Sequence, residues 1–241
     1  MDAMADRPHI FDLTPDQLAS HLTDAGLPRF RAKQVLDWVY RNDITDPQAM
    51  TNLSRLDRAK LHEAVALTRG TVIRHERATD DTRKLLVEWR GGASGSDAVP
   101  LPTLDSSSRP RTECVMIPSD DRRTACISSQ VGCPVGCRFC ASGLGGLEGN
   151  LTAGQIIEQV HHLNAAMHSA AGADGPQQRI TNVVFMGMGE PLANFEAVRD
   201  AIRTLAADWG FGLSARKITV STVGLPAQIR RLAAIDLPIT L

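Results

Sequence analysis

Residues 126–143 have the sequence CISSQVGCPVGCRFCASG, in which Cys133, Cys137 and Cys140 follow the spacing C-x3-C-x2-C. Three thiolates on one short loop suit three irons of a 4Fe–4S cube, which normally takes four cysteines. The fourth iron then keeps a free coordination site for a substrate. Gly136 allows the backbone to turn closely around such a group. The loop therefore predicts a 4Fe–4S cluster with one open iron.

A structural zinc ion is the alternative ligand for these cysteines. Such zinc sites usually take four ligands in paired spacings. The fourth ligand here would be Cys126 or a histidine, and neither makes a familiar pair with the loop. The five cysteines are odd in number and clustered, which argues against a disulfide framework. For Cys114 and Cys126, which lie outside the loop, the ordinary interpretation is that they are buried core residues.

Strand-like and helix-like segments alternate on both sides of the cysteine loop. Strands are predicted at 113–117, 124–128, 180–185 and 217–221, with another beginning at 237–241, and helices at 152–170, 195–207 and 226–233. This alternation predicts a parallel α/β sheet or barrel. Ligands of such folds gather at the carboxyl ends of the strands. The cysteine loop, Glu190 and Ser221 all follow predicted strands, so we expect them on one rim.

Two of these strand ends have ligand-binding character. Residues 186–191, MGMGEP, combine glycines that admit a ligand close to the backbone with the carboxylate of Glu190, which can accept from an amino group or a ribose hydroxyl. Ser221 and its neighbour Thr222 offer hydroxyl groups to a ligand. N-capping of the next helix is the alternative role for these hydroxyls. Downstream of a cluster loop, the MGMGEP segment predicts a site for S-adenosylmethionine (SAM).

Residues 1–90 predict a small helical unit followed by a β-hairpin. Thr14-Pro15 has the pattern of a helix start and Gly26 that of its end. The further predicted elements are a helix with apolar positions 30, 35, 36 and 39, a turn at 45–50, a helix at 54–67 with Leu56, Ala59, Leu61 and Val65 inward or near the packed face, and strands at 71–75 and 84–89. Residues 91–111 are rich in Gly, Ser and Pro and predict a flexible loop. The domain that carries the cluster loop and the expected SAM site is then 112–241.

The overall charge does not by itself indicate a binding partner. The formal net charge is −1, so a nucleic-acid contact would have to use local Arg and Lys clusters. The sequence has no apolar run of the roughly 18 residues that a membrane helix needs. Its acidic, mixed N-terminus is unlike a secretory signal. These features predict a cytoplasmic protein with no membrane association, and they leave its oligomeric state open.

Several stretches together resemble one family. The segments CISSQVGCPVGCRFCASG, NLTAGQIIEQV, FMGMGEPLANF and ITVSTVGL resemble the RlmN/Cfr family of radical SAM RNA methyltransferases, and GLPRFRAKQVLDWVY with MTNLS resembles the RlmN branch. The resemblance implies a partial radical SAM (β/α) barrel behind an RNA-contacting N-terminal domain. It implies methylation of adenosine C2 in 23S rRNA and, in the RlmN branch, in certain tRNAs. It also implies SAM, a 4Fe–4S cluster and an electron donor such as flavodoxin or ferredoxin.

The resemblance also assigns roles to individual residues. The cluster ligands would be Cys133, Cys137 and Cys140; the SAM contacts Gly189, Glu190 and Ser221; the resolving cysteine Cys126; and the proton acceptor Glu113. Adenine C2 is electron-poor, so the family transfers the methyl group through a carbon radical carried on a methylated cysteine. The resolving cysteine then releases the protein–RNA crosslink. This role replaces the core assignment of Cys126.

Two features depart from the family pattern. The 91–111 loop is longer than expected, and family members continue beyond Leu241. No cysteine follows Cys140 here, so we expect these 241 residues to be an inactive fragment without the methyl-carrying cysteine. A radical SAM enzyme with another substrate and a zinc-containing RNA-binding protein remain the alternatives. Anaerobic reconstitution with iron and sulfide separates the zinc protein from both enzymes.

Overall fold

The structure is a computed structural model that describes residues 7–90, 109–171 and 178–241. Its centre is a six-stranded mixed sheet in the order β1-β2-β3-β4-β7-β8. The strands are β1 (Gly70–Arg77), β2 (Arg83–Trp89), β3 (Arg111–Ser119), β4 (Arg122–Cys126), β7 (Asn182–Phe185) and β8 (Ile218–Val220), and a separate hairpin comprises β5 (Gln130–Gly132) and β6 (Leu147–Asn150). Strands β4, β7 and β8 are parallel, whereas β1 to β4 pair antiparallel in succession. The expected α/β class is confirmed, and the hairpin β5–β6 is an addition to it.

The described residues form six α-helices. They are α1 (Pro15–Asp24), α2 (Arg31–Leu36), α3 (Arg55–Ala64), α4 (Ala153–Ala171), α5 (Phe195–Ala206) and α6 (Pro226–Ala233). Helix α1 begins at a capping box in which the Thr14 N–H donates to Gln17 at 2.8 Å, and it ends just before Gly26, whose φ is +72°. Local capping signals therefore located this helix correctly. Among the described residues, no helix is both long and apolar enough to cross a membrane.

The predicted orientation of α3 is wrong at its first turn. The helix ends at Ala64, and Leu61 and Val65 are buried as expected. Leu56, by contrast, is 66% exposed, and Ala59 is exposed as well. An ion pair of 2.8 Å between Asp57 and Arg31 of α2 holds this turn. The turn is therefore fixed by a polar contact, and its apolar side chains stay in solvent.

The hairpin expected in the N-terminal unit belongs to the central sheet, because β2 pairs with β3 through Leu86↔Glu113 and its neighbours. Strand β3 begins at Arg111, a residue expected in the flexible loop, while residues 91–108 of that loop lie outside the described residues. The strand expected from position 237 is reduced to a single parallel bridge between Thr240 and Thr219.

The two faces of the sheet have different environments. Along β2, residues alternate between buried and half-buried, which is the period of two that a strand imposes. On the buried face Leu85, Cys114 and Ala125 are at most 1% exposed, and α4 contacts β1, β2 and β3. On the other face Glu113 is exposed and Cys126 is half-buried. The expectation of a core position thus holds for Cys114 and not for Cys126.

Candidate active site at the strand ends

The carboxyl ends of three parallel strands meet at one edge of the sheet. Cys126 of β4 pairs with Val184 of β7, and Val184 pairs with Thr219 of β8. Because the strands run in the same direction, the segments that follow them emerge together. Those segments are 127–140, 186–190 and 221–224. The prediction of a common rim for them is confirmed.

The segment after β4 is bound tightly to the segment after β7. The Ser129 N–H donates to the Met188 carbonyl at 2.9 Å, and the Glu190 N–H donates to the Gln130 side chain at 2.8 Å. Gly189 has a φ of +102°, and a Cβ there would lie 2.7 Å from the Cβ of Gln130. A side chain is therefore excluded at Gly189 by both backbone conformation and space. The glycine is required for this junction, whatever ligand the rim takes.

Glu190 uses its carboxylate within the protein. The residue is 3% exposed. Its oxygens accept from the Leu192 N–H at 2.9 Å, the Thr222 hydroxyl at 2.7 Å and the Val223 N–H at 2.9 Å. The side chain thus ties the segment after β8 to the segment after β7. Ser221 is exposed beside this tie, so its hydroxyl is accessible to a ligand.

Glu113 and Cys126 lie on the accessible face of the sheet near the same edge. Cys126 is opposite Val115, and the Ser128 hydroxyl, just beyond β4, donates to the Glu113 carbonyl at 2.6 Å. The Glu113 carboxylate is 3.2 Å from the Lys84 ammonium, and this contact raises the pKa of Lys84. The structure therefore brings together a carboxylate, an ammonium group and a thiol on one face.

The Cys126 thiol has a pKa above its ordinary value of 9.0. Burial is the main cause, because it disfavours the charged thiolate. The Met186 N–H donates to the sulfur and acts in the opposite direction. At neutral pH the group is therefore held mainly as the thiol, and its nucleophilic thiolate becomes more abundant as the pH rises.

The cysteine loop joins β5 to β6. Its base is closed by a hydrogen bond of 2.9 Å from the Cys133 N–H to the Gly146 carbonyl. Beyond it the chain turns at Gly136, whose φ is +65° and where an added Cβ would meet no atom within 4 Å. Cys133, Cys137 and Cys140 are all half-buried free thiols. The loop is therefore anchored at its base and open around its thiols.

The donor set of this loop fits a three-cysteine cluster in type and number. Each cysteine of a 4Fe–4S cube ligates a different iron, whereas a structural zinc ion draws four ligands onto a single atom. The three thiols of the loop supply the first set and are one ligand short of the second. Within the described ranges, no three Cys, His, Asp or Glu side chains converge closely enough to hold one metal ion.

Sequence reasoning gave no role to three residues that shape this region. Ser128 and Gln130 connect the segments after β4 and β7, and Lys84 pairs with Glu113. A run of polar residues, Ser-Ser-Gln, directly after an apolar strand is a sequence signal for the first two. Lys84 gives no such signal, because its contact depends on the register between β2 and β3.

Comparison with known proteins shows which proteins the chain is similar to. Residues 9–67 match the family model described as the ribosomal RNA large subunit methyltransferase N-terminal domain. The chain is 40% identical over 229 residues to the dual-specificity RNA methyltransferase RlmN of Dichelobacter nodosus, covering 95% of this chain and 58% of that protein. It is 41% identical over 236 residues to a probable dual-specificity RNA methyltransferase RlmN of Corynebacterium efficiens, again covering 58% of the relative. The chain therefore carries the RlmN N-terminal domain, and it is similar to RlmN proteins over almost all of its own length.

The fold agrees with that assignment. The crystal structure of a radical SAM methyltransferase from Sphaerobacter thermophilus matches with a TM-score of 0.82 and 37% sequence identity, over 96% of this chain and 62% of that one. The radical SAM methyltransferase fold expected from the sequence is therefore confirmed. The chain spans a little over half the length of the curated relatives that it matches, for example 58% of the Dichelobacter protein.

Proposed function

We propose that this chain contributes the cluster-binding and SAM-binding part of an RNA methyltransferase that methylates C2 of adenosine in 23S rRNA, with certain tRNAs as further substrates. The observation that carries this proposal is the junction just beyond Cys126, at which Ser128, Ser129 and Gln130, the residues that lead to the cysteine loop, are hydrogen-bonded to the segment of Gly189. The RlmN relatives at about 40% identity support the substrate class. A radical SAM enzyme with another substrate is the second candidate.

The cofactors in this proposal are a 4Fe–4S cluster and SAM. Cys133, Cys137 and Cys140 would hold the cluster, which when bound and reduced would supply the electron for the reductive cleavage of SAM. Gly189 would serve the SAM site by allowing the close contact with Gln130 that positions the β7 end, and Ser221 would offer a hydroxyl group. Glu190 serves this site by holding the segment of Ser221 in position.

Two residues of the accessible face handle the later steps in this proposal. Cys126 attacks, as a thiolate, the sulfur of the methyl-carrying cysteine. An S–S bond forms while the bond from that sulfur to the carbon on the base breaks, and the carbon keeps the bonding electrons and is protonated, which releases the RNA. Glu113 accepts the C2 proton, and Lys84, whose ammonium lies 3.2 Å away, orients its carboxylate.

The remaining partners follow from this substrate class. The cluster needs a one-electron donor of the flavodoxin or ferredoxin type, and an enzyme of ribosomal RNA acts in the cytoplasm. Within residues 1–241 no cysteine follows Cys140, and Cys126 has the resolving role. We therefore expect this polypeptide to bind cluster without producing 2-methyladenosine by itself.

The proposal is tested with a chimera in which this chain is joined to the part of the Dichelobacter relative that it does not cover. After anaerobic reconstitution with iron and sulfide, the chimera is incubated with SAM, a reductant and an rRNA fragment. We expect 2-methyladenosine by mass spectrometry, and none from the 241-residue chain alone. Cleavage of SAM without any methylated adenosine would favour the second candidate.

The Cys126→Ala variant of the chimera separates the two half-reactions. It keeps the cluster and SAM cleavage, and it accumulates a covalent protein–RNA adduct that denaturing electrophoresis detects. In the unsubstituted chimera, release should accelerate as the pH rises from 7 towards 9, because the pKa of Cys126 is raised. Cys114→Ala, which removes a buried thiol from the opposite face, is the matched control and releases RNA normally.

A further inference from the structure

The first turns of α2 and α3 present two large apolar side chains to solvent. Phe30 is 60% exposed and Leu56 is 66% exposed. Aromatic residues make up only 4% of the chain. Within the helical unit, Phe11 and Tyr40 are at most 1% exposed and Trp38 is half-buried. An aromatic ring left in solvent is therefore unusual for this unit, although single exposed apolar residues are common in proteins.

The Phe30 ring rests on a guanidinium group that cannot move freely. The Arg31 guanidinium carbon is 5.1 Å from the centroid of the Phe30 ring. That guanidinium is bound to Asp57 at 2.8 Å, to the Gln34 side chain at 2.7 Å and to the Asn52 carbonyl at 3.1 Å. Its side chain is only 18% exposed. Arg31 is thus committed to the fold and supports the ring by a cation–π contact.

Two cations of these helices have no ion-pair partner in the part of the chain that the structure describes. Lys33 lies one turn after Phe30 on the same helix, and Arg55 precedes Leu56 on the helix that the Arg31–Asp57 ion pair joins to it. Arg29, by contrast, is paired with Asp16 at 2.5 Å. An exposed aromatic ring together with unpaired cations has the composition of a single-stranded nucleic-acid site.

We infer that Phe30 is a stacking platform for one unpaired nucleobase of the RNA, and that Lys33 and Arg55 contact the flanking phosphates. This inference rests on the proposed RNA substrate. The platform is preorganised, because Arg31 fixes the ring before RNA arrives, and little side-chain entropy remains to be lost on binding. A base inside a perfect duplex is stacked on its neighbours and does not offer a free face. The platform therefore distinguishes loops and bulges from paired RNA.

The test measures RNA affinity of the 241-residue chain by fluorescence anisotropy at several salt concentrations. The probes are a labelled RNA stem–loop and a fully paired RNA duplex. Phe30→Ala should weaken stem–loop binding by about 5- to 100-fold, the effect of losing one base–aromatic stack. Duplex binding should stay unchanged. Phe30→Trp should preserve stem–loop affinity, and Phe30→Leu, which is apolar without a π face, should lose most of it.

The salt dependence distinguishes stacking from charge. Phe30→Ala should leave the slope of log affinity against log salt unchanged, since no cation is removed. Replacement of Lys33 and Arg55 by Ala should flatten that slope by about 0.7–0.9 for each lost phosphate contact. Ile73→Ala, which shortens an apolar side chain that is 43% exposed on β1, is the matched control and should change neither quantity.

Each other outcome has a defined meaning. Stem–loop binding that is equal in wild type, Phe30→Ala and Phe30→Leu overturns the platform and leaves the RNA substrate intact. Absence of RNA binding by the wild type overturns the proposed substrate class and the platform with it. A wild-type dimer in sedimentation velocity that dissociates in Phe30→Ala assigns the surface to self-association and also overturns the platform.

Discussion

The loop of residues 133–140 and helix α4 both carry polar, metal-competent side chains, but they use them in opposite ways. The loop is open to solvent: the Phe139 side chain is 93% exposed, and the three free thiols are half-buried. Helix α4 buries its polar groups almost completely, with Glu158 and Gln159 at 0% exposed. The loop groups are available to a ligand, whereas the helix groups are committed to the fold. Residue type alone does not make this distinction; the number of partners within the chain does.

The polar side chains of α4 are hydrogen-bonded within the protein. The Glu158 carboxylate accepts from the N–H groups of Arg69 and Gly70 at 2.9–3.1 Å and lies 3.1 Å from both His9 and His162. Gln159 exchanges two hydrogen bonds, of 2.8 and 2.9 Å, with the backbone of Ser128. One helix thereby holds the start of the N-terminal unit, the start of β1 and the segment after β4. Helix α4 therefore holds the site in position from the buried face of the sheet.

The largest effect should come from removing the loop thiols. Replacement of Cys133, Cys137 and Cys140 by Ala should abolish iron incorporation and SAM cleavage, because three ligands leave no spare. The unfolding midpoint should remain close to that of the metal-free wild type, since these side chains make few packing contacts. Iron content after anaerobic reconstitution and thermal unfolding measure both. Normal iron content in the triple variant would show that the loop thiols do not bind the cluster. The contrast between a ligand-binding loop and a structural helix would then be lost.

The opposite pattern is expected at the helix. Glu158→Gln should lower the free energy of unfolding by about 3–5 kcal/mol near pH 6, the range for breaking a buried ion pair. Its iron content should stay normal under conditions where the protein is folded. Glu63→Gln, at an exposed acid of α3, is the matched control and should change stability by less than about 0.5 kcal/mol.

The same variant should change the pH dependence of stability. Burial opposes the charge of Glu158, but hydrogen bonds from His162 and His9 outweigh it and lower its pKa below the ordinary 4.5. Burial likewise opposes protonation of His9, but Asp12 and Glu158 raise its pKa above 6.5. The stabilisation that the Glu158 carboxylate contributes is lost as the pH falls below 4.5. The stabilisation that the His9 imidazolium contributes is lost as the pH rises above 6.5. Wild-type stability attributable to this pair should therefore be greatest between these values, and Glu158→Gln should flatten the profile in denaturant titrations.

The smallest effect is expected from two glycine substitutions, one at the buried junction and one in the cysteine loop. Gly189→Ala should destabilise the protein by about 2–4 kcal/mol, because left-handed backbone strain and overpacking against Gln130 add together. Gly136→Ala meets only the backbone strain, about 1–2 kcal/mol, since its surroundings are open. Equal losses in urea titrations would contradict the rigidity assigned to the junction.

The elements that sequence predicted well are those governed by local signals. The capping box at Thr14, the left-handed Gly26 and the apolar strand before MGMGEP each act within a few residues, so their positions were correct to within about two residues. The cysteine spacing is local in the same sense, because all three thiols lie on one loop. The candidate ligands of the proposed cluster therefore required no structure to find.

The elements that only tertiary structure decided depend on pairing between distant segments. The register of β2 on β3 places Lys84 beside Glu113, and that of β3 on β4 places Cys126 on the accessible face. The exposure of Leu56 follows from the ion pair of Asp57 with Arg31, which periodicity does not encode.

By itself, then, the sequence determined the class of fold, the loop of thiols and the strand ends that form the rim. Helix α4 carries Gln and Glu where an amphipathic pattern predicts solvent, and only the packed structure shows that the backbone of two separate segments and the ring of His9 satisfy them. The physical reason is that a polar group tolerates burial when its partners are present, and those partners are distant in sequence. The tertiary structure alone decided which polar residues hold the fold and which remain free for a ligand.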